Sequence, residues 1–142
     1  MIRTCTHCGQ QNRVPAKHLA DTGRCGACRV ALPPLAEPLD AGAEELDSVL
    51  REARVPVLVD FWAAWCGPCR MAAPAVKQVA EQMAGRALVL KIDTERHPEL
   101  AARYQVQGIP HFLVLRDGRV QSAQSGLVGA PQMLRWLEAA GA

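Results

Sequence analysis

The sequence predicts an α/β domain, a mixed central β-sheet with helices on both faces, preceded by a small cysteine-bearing module. Two near-continuous apolar runs, Val55–Trp62 and Ala87–Ile92, fit strands buried on both faces, and an amphipathic helical period separates them. Two later strand-like stretches flank Asp117-Gly118, a hairpin turn signal, so the sheet is not parallel throughout. Ahead of all this, residues 1–30 carry four cysteines but only Ile2, Val14, Leu19 and Val30 as sizeable apolar side chains, too few for a core of their own.

Residues 1–30 therefore read as the first unit. Pro33, Pro34 and Pro38 within Ala31–Leu39 favour an extended connector, and the boundary is placed there, leaving 40–142 as the main domain. Leu46, Val49, Leu50 and Ala53 recur at helical spacing, with Asp40, Glu44 and Glu45 suited to the helix start. The run to Trp62 is the first buried strand. Pro68 suits the first turn of the next helix, whose apolar positions are Met71, Val76, Val79, Ala80 and Met83 before Gly85 ends it. Pro74 interrupts hydrogen bonding within that helix. The second buried strand follows, then a short helix at Pro98–Arg103, strands at His111–Leu115 and Val120–Ser125, and a last helix from Pro131 with Met133, Leu134 and Leu137 inward.

A length of 142 residues allows one main domain with a small appendage. Sixteen Lys and Arg against fourteen Asp and Glu give a net charge of +2, so a dedicated nucleic-acid binder is not expected. The charge is uneven: residues 1–30 have five bases and one acid, net +4, and residues 31–142 eleven bases and thirteen acids, net −2. No apolar run approaches the ~20 residues of a membrane-spanning helix. Met1-Ile2-Arg3-Thr4-Cys5 shows no apolar secretory stretch, so a cytoplasmic protein is expected. In a reducing compartment, Cys-x-x-Cys pairs read as metal-binding or redox-active before structural disulfides. There are three: Cys5/Cys8, Cys25/Cys28 and Cys66/Cys69.

Cys66-Gly67-Pro68-Cys69 lies where a buried strand gives way to a helix. Cys66 then sits at the helix N-terminus, where unpaired backbone N–H groups favour a thiolate. Cys69 is one turn on, within disulfide reach. One sulfur can attack and the other resolve. Asp60 and Lys91 each interrupt an apolar strand, and a strand–helix–strand connection makes them neighbours across a parallel pair. From the residues alone, solvent contact at a strand end or a role in register remains open.

The stretch Val59–Met71, with Trp65-Cys66-Gly67-Pro68-Cys69 at its centre, resembles the active-site segment of the thioredoxin family. Pro74, Gly108-Ile109-Pro110, Asp117-Gly118 and Gly126 follow at the family's spacings, and the likeness covers residues 40–142. It implies a thioredoxin fold and a protein-disulfide reductase, with Cys66 as nucleophile and Cys69 as resolving thiol. It further implies that Asp60 accepts or relays the Cys69 proton with Lys91 as its partner, and that Ile109-Pro110 is a cis peptide. Trp65, Gly67, Pro68, Ile109, Pro110 and Gly126 are the implied substrate-contact residues. His111 departs from the family's small polar residue and is expected to be a strand residue with a solvated ring; Trp62 is expected in the core. The implied partners are disulfide-containing proteins and a flavin-dependent, NADPH-using thioredoxin reductase. No Gly-x-Gly-x-x-Gly stretch occurs, so no bound nucleotide or flavin is expected, and a monomer is.

Cys5 and Cys8, sixteen residues, then Cys25 and Cys28 match the spacing of a four-cysteine zinc site, which would supply folding energy that apolar burial cannot. One structural zinc is preferred over iron in the same thiolates or two local disulfides, and His7 and His18 read as surface residues. With this zinc-ribbon-like module in front, the whole chain is similar to the second, zinc-containing class of bacterial thioredoxins. Two competing functions are a zinc-ribbon module recognising nucleic acid or a protein on an inert scaffold, and an oxidase or isomerase. The intact Cys66/Cys69 pair argues against the first. Gly67-Pro68 and the absent export signal argue against the second.

Overall fold

A computed structural model describes residues 1–142. Its elements in chain order are β1 (Ile2–Thr4), β2 (Gln11–Arg13), a 3-10 turn (Ala16–His18), β3 (Gly23–Arg24), β4 (Ala31–Leu32), β5 (Leu39–Asp40), α1 (Ala43–Glu52), β6 (Val57–Trp62), α2 (Gly67–Gln82), β7 (Leu88–Asp93), α3 (Pro98–Arg103), β8 (His111–Arg116), β9 (Arg119–Ser125) and α4 (Ala130–Ala139). Five strands form the main sheet in the order β5-β7-β6-β8-β9. β5, β7 and β6 are parallel, whereas β8 and β9 run antiparallel, so the sheet is mixed as the hairpin signal predicts.

Alternation along the central strands sorts their side chains to two faces. Val59, Phe61, Leu90 and Ile92 face a core completed by Leu46 and Val49 of α1 and Leu100 of α3. Leu58, Val89, Phe112 and Val114 face Ala72, Val76 and Val79 of α2 and Met133 and Leu137 of α4. Helices thus cover both faces. No helix is long and apolar enough to cross a membrane.

β1 and β2 pair as one small antiparallel ladder, β3 and β4 as another. The module does not stand apart from the domain. Leu19 is fully buried, and with Ala16 it joins the α1-side core. Leu19→Ala is therefore expected to cost about 2–5 kcal/mol, the range for deleting a fully buried leucine side chain. Chemical denaturation of the full chain measures it; a loss under about 1 kcal/mol would contradict the burial.

Two features escape the sequence pattern. The two-residue strands β4 and β5 are too short for any periodicity, and Asp40 pairs with Lys91 in β5 instead of starting a helix. Gly42 precedes α1, its N–H donating to Glu45 Oε1 at 3.0 Å. Met71, placed inward by helical spacing, is 68% exposed. It adjoins the helix start, where the buried face of α2 is carried by Cys69 and Ala72.

Candidate functional site

Buried strand β6 ends at Trp62, and the chain turns through Ala63-Ala64-Trp65 into α2 with Cys66 as the residue before its first turn. The Cys69 backbone N–H donates to Cys66 Sγ at 3.2 Å, so this sulfur occupies the capping position where an N-terminal helix donor would otherwise be orphaned. Cys66 and Cys69 form a disulfide, with Cα atoms 5.3 Å apart. Cys66 Sγ also lies 3.7 Å from the Ile109 carbonyl, and Ile109-Pro110 is cis. The Pro110 carbonyl accepts from Gly126 N–H at 2.8 Å, and Gly126 has φ 99°, a conformation that favours glycine. Gly67 presents open space where a Cβ would stand. Trp65 is 66% exposed, and its indole N–H donates to Glu95 Oε1 at 2.8 Å. Ile109, Pro110 and Gly126 are thus gathered by β8 and β9 beside a disulfide flanked in sequence by Trp65, Gly67 and Pro68.

The other four cysteines also converge. In each hairpin a knuckle closes by backbone bonds, Gly9 N–H to Cys5 O at 2.9 Å and Arg29 N–H to Cys25 O at 3.0 Å. Gly9 and Arg29 both adopt positive φ, 79° and 67°. Cys5 Sγ is 3.7 Å from Cys28 Sγ, Cys8 Sγ is 3.6 Å from Cys25 Sγ, and all four sulfurs lie within 4.8 Å of one another. A tetrahedral zinc with Zn–S bonds near 2.3 Å separates its sulfurs by about 3.8 Å, so the set fits such an ion. Backbone N–H groups of Cys8 and His7 lower the Cys5 thiol, and those of Cys28 and Ala27 lower Cys25 to about 6. Val30 N–H draws Cys28 down, but burial and three neighbouring sulfurs push it to about 12. Deprotonating all four in this volume would call for a bound cation to offset the crowded charge. Asn12 braces the cluster, donating to Cys25 Sγ at 3.6 Å and accepting from Gly26 N–H at 2.9 Å.

A protein-family model described as thioredoxin matches residues 37–139. The chain belongs to the thioredoxin family. A second model, described as the N-terminal region of thioredoxin 2, matches residues 4–30, the cysteine module. Thioredoxin C-3 of Corynebacterium nephridii is 38% identical over 138 residues, 97% of this chain and 94% of that one. Thioredoxin 1 of Chlorobaculum tepidum is 44% identical over 91 residues, 64% of this chain and 90% of its own. Among solved structures, a mutant thioredoxin from Halobacterium salinarum superposes with a TM-score of 0.70 at 36% identity, covering 76% of this chain and 94% of that one. This thioredoxin is accordingly a thiol–disulfide oxidoreductase, with Cys66 and Cys69 in the active-site position.

Asp60 shares the α2-facing side of β6 with Leu58 by strand alternation. It is the one buried charged side chain, 1% exposed, and its Oδ1 has no hydrogen-bond partner. Burial raises its carboxyl to about 7, with the Lys91 charge pulling the other way. Asp60 and Lys91 are register partners across the parallel pair, as the strand connection suggests. They form no ion pair within 4 Å. The Lys91 ammonium instead lies 4.5 Å over the ring of Trp62, which is only half-buried and not a pure core residue. His111 is likewise less solvated than expected. Its ring is half-buried, takes part in a 2.6 Å hydrogen bond with Ser125 Oγ and stands edge-on to Phe61; burial lowers its pKa.

Glu95, Ser125 and Asn12 are the supporting residues that motif reasoning misses. Each acts through long-range side-chain bonds, one for Glu95 and Ser125 and two for Asn12, and none sits in a recognisable pattern. Only its place in the polar turn Thr94-Glu95-Arg96 marks Glu95, and that is too common a signal to single it out.

Proposed function

We propose that this thioredoxin is a protein-disulfide reductase recharged by thioredoxin reductase at the expense of NADPH. The observation that carries this reading is the Cys66–Cys69 disulfide at a helix N-terminus, beside cis-Pro110 and an exposed Trp65. In the reduced form, Cys66 thiolate attacks a substrate disulfide sulfur, forming a mixed disulfide and releasing one substrate thiolate. Cys69, having lost its proton to Asp60, attacks Cys66 Sγ; the Cys66–Cys69 disulfide forms and the second substrate thiolate leaves. Two electrons pass to the substrate, and reductase returns them. Asp60 suits proton acceptance because a carboxyl near 7 exchanges protons readily at neutral pH. Lys91, its register partner on β7, limits that rise. Trp65, Gly67, Pro68, Ile109, Pro110 and Gly126 form the surface that receives the substrate chain.

Cys5, Cys8, Cys25 and Cys28 would hold one zinc ion. Zinc has no redox chemistry of its own and supplies folding energy to a module with almost no core. Four metal-bound thiolates suit the reducing cytoplasm. With no aromatic residue in 1–30, the module has no platform for base stacking, so nucleic acid is not proposed as its ligand. A monomer is proposed.

Insulin reduction coupled to NADPH and thioredoxin reductase tests the activity, with zinc measured on the same sample. Turnover is expected from the native chain and none from Cys66→Ser, with about one zinc per chain. No turnover with both active-site cysteines intact would sink the reductase reading. Metal well below one equivalent, after purification without chelator or oxidant, would sink the zinc site.

A further inference from the structure

A cleft of about 580 Å³ lies in the cysteine module between its two hairpins, walled by Arg3, Arg13, His18, Arg24 and Leu32. The disulfide chemistry does not use it. Its volume falls within the roughly 300–1,000 Å³ of ordinary ligand pockets and exceeds what a single inorganic ion needs. Asp21 is the one carboxylate on its wall, and His18 Nδ1 occupies it at 2.8 Å. Arg3, Arg13 and Arg24 form no ion pair within 4 Å. Glu44, Glu45 and Glu52 share a neighbouring pocket with Arg13 but do not reach it.

The guanidiniums are also partly positioned. Arg3 donates to the Pro33 carbonyl, and Arg24 Nη1 donates to the Arg29 carbonyl at 3.1 Å. Each guanidinium has five N–H donors, so one backbone anchor leaves others free while removing part of the ordering cost of binding. Arg13 has no hydrogen-bond partner and is exposed. Such forks match oxyanions in bidentate fashion. The net charge of residues 1–30 stays at +2 with four thiolates on a divalent ion, so the cleft remains attractive to anions when the module is metal-loaded.

We propose that this cleft docks an acidic peptide segment of a protein partner, with Asp or Glu carboxylates on Arg3, Arg13 and Arg24. Val14 and Pro15 also line the cleft and offer apolar surface to a peptide's small side chains. The module lacks aromatic side chains to grip a nucleotide base. Docking here is separate from disulfide exchange and goes beyond the reductase reading: it selects and orients partners without touching the sulfur chemistry.

The test is fluorescence anisotropy of a fluorescein-labelled hexaglutamate peptide with the full-length, zinc-loaded protein. Saturable one-to-one binding that weakens with ionic strength is expected, with at least about tenfold loss in the Arg13→Glu, Arg24→Glu double variant. Both side chains are exposed, and zinc content and basal insulin turnover of the variant are expected to stay at the native level, so loss of docking and failure of the reductase reading are read separately. Arg119→Glu, on the β8–β9 hairpin, is expected to bind the peptide normally. Three results would overturn the proposal: no saturable binding, an equal loss in Arg119→Glu, or binding of tripolyphosphate with the peptide unbound.

Discussion

In Asp60→Ala, resolution of the mixed disulfide by Cys69 is expected to slow by about 100-fold while the first attack by Cys66 keeps its rate, because a positioned general base contributes roughly 10²–10⁴ to a proton-transfer step. Cys66 receives the Cys69 N–H at its sulfur and needs no carboxylate to stabilise its thiolate. Cys69 is buried on α2, and Asp60 lies by strand alternation on the β6 face that packs against that helix. Rapid mixing of the reduced protein with a disulfide peptide separates the two steps: the variant accumulates mixed disulfide, and the native chain does not. In the native chain the resolution rate rises with pH to an inflection near 7, where Asp60 becomes ionised, and in the variant this inflection disappears. Equal slowing of both steps would show that Asp60 acts on the site as a whole and not on Cys69.

The same variant is expected to be more stable, and the pH dependence fixes the sign. In the unfolded chain Asp60 ionises near 3.8; in the folded chain burial delays this to about 7. Between these values the folded state holds a proton that the unfolded state has lost, so the native chain loses stability as pH rises through the window. Above about 7 the penalty is constant, on the order of 4 kcal/mol at 1.36 kcal/mol per unit, less the small cavity that alanine leaves. Asp60→Ala should therefore match the native chain near pH 4 and exceed it by a few kcal/mol at pH 8 in denaturant titrations of the disulfide form. A catalytic group kept at a cost to stability is the ordinary compromise of an active site.

The parts of this molecule legible in its sequence are those whose signals are local. Val57–Trp62 is apolar on both faces and announces a central strand; Cys66 and Cys69 are one helical turn apart at its end, and the reactive pair follows from that junction. The parallel register of Asp60 with Lys91 follows from a strand–helix–strand connection, but rotamers do not, and the ammonium goes to Trp62. Contacts between distant segments leave no pattern. Trp65 meets Glu95 thirty residues on, His111 meets Ser125 across β8 and β9, and a lone Leu19 in a polar segment gives no sign that it enters the main core.

That buried Leu19 makes metal removal the second large effect. The module's own core is Cys5, Cys25 and Leu32, and its ladders are three and two residues long, too short to persist unaided. A structural zinc site contributes about 10–16 kcal/mol of apparent binding energy, so chelation is expected to unfold residues 1–30 outright. Leu19 then leaves the core that Leu46 and Val49 share with β6 and β7, and the remaining domain loses about 3 kcal/mol, or about 10 °C in Tm. The domain should still fold, because its five-stranded sheet and both helical layers lie outside the module. Calorimetry of the metal-loaded and chelated forms, each with and without Leu19→Ala, isolates the cause. The substitution should lower Tm in the loaded form and do almost nothing once chelation has withdrawn the side chain, a non-additivity that only a shared contact produces. A chelated protein that melts with the loaded one would mean that the module's docking on the core carries no stability.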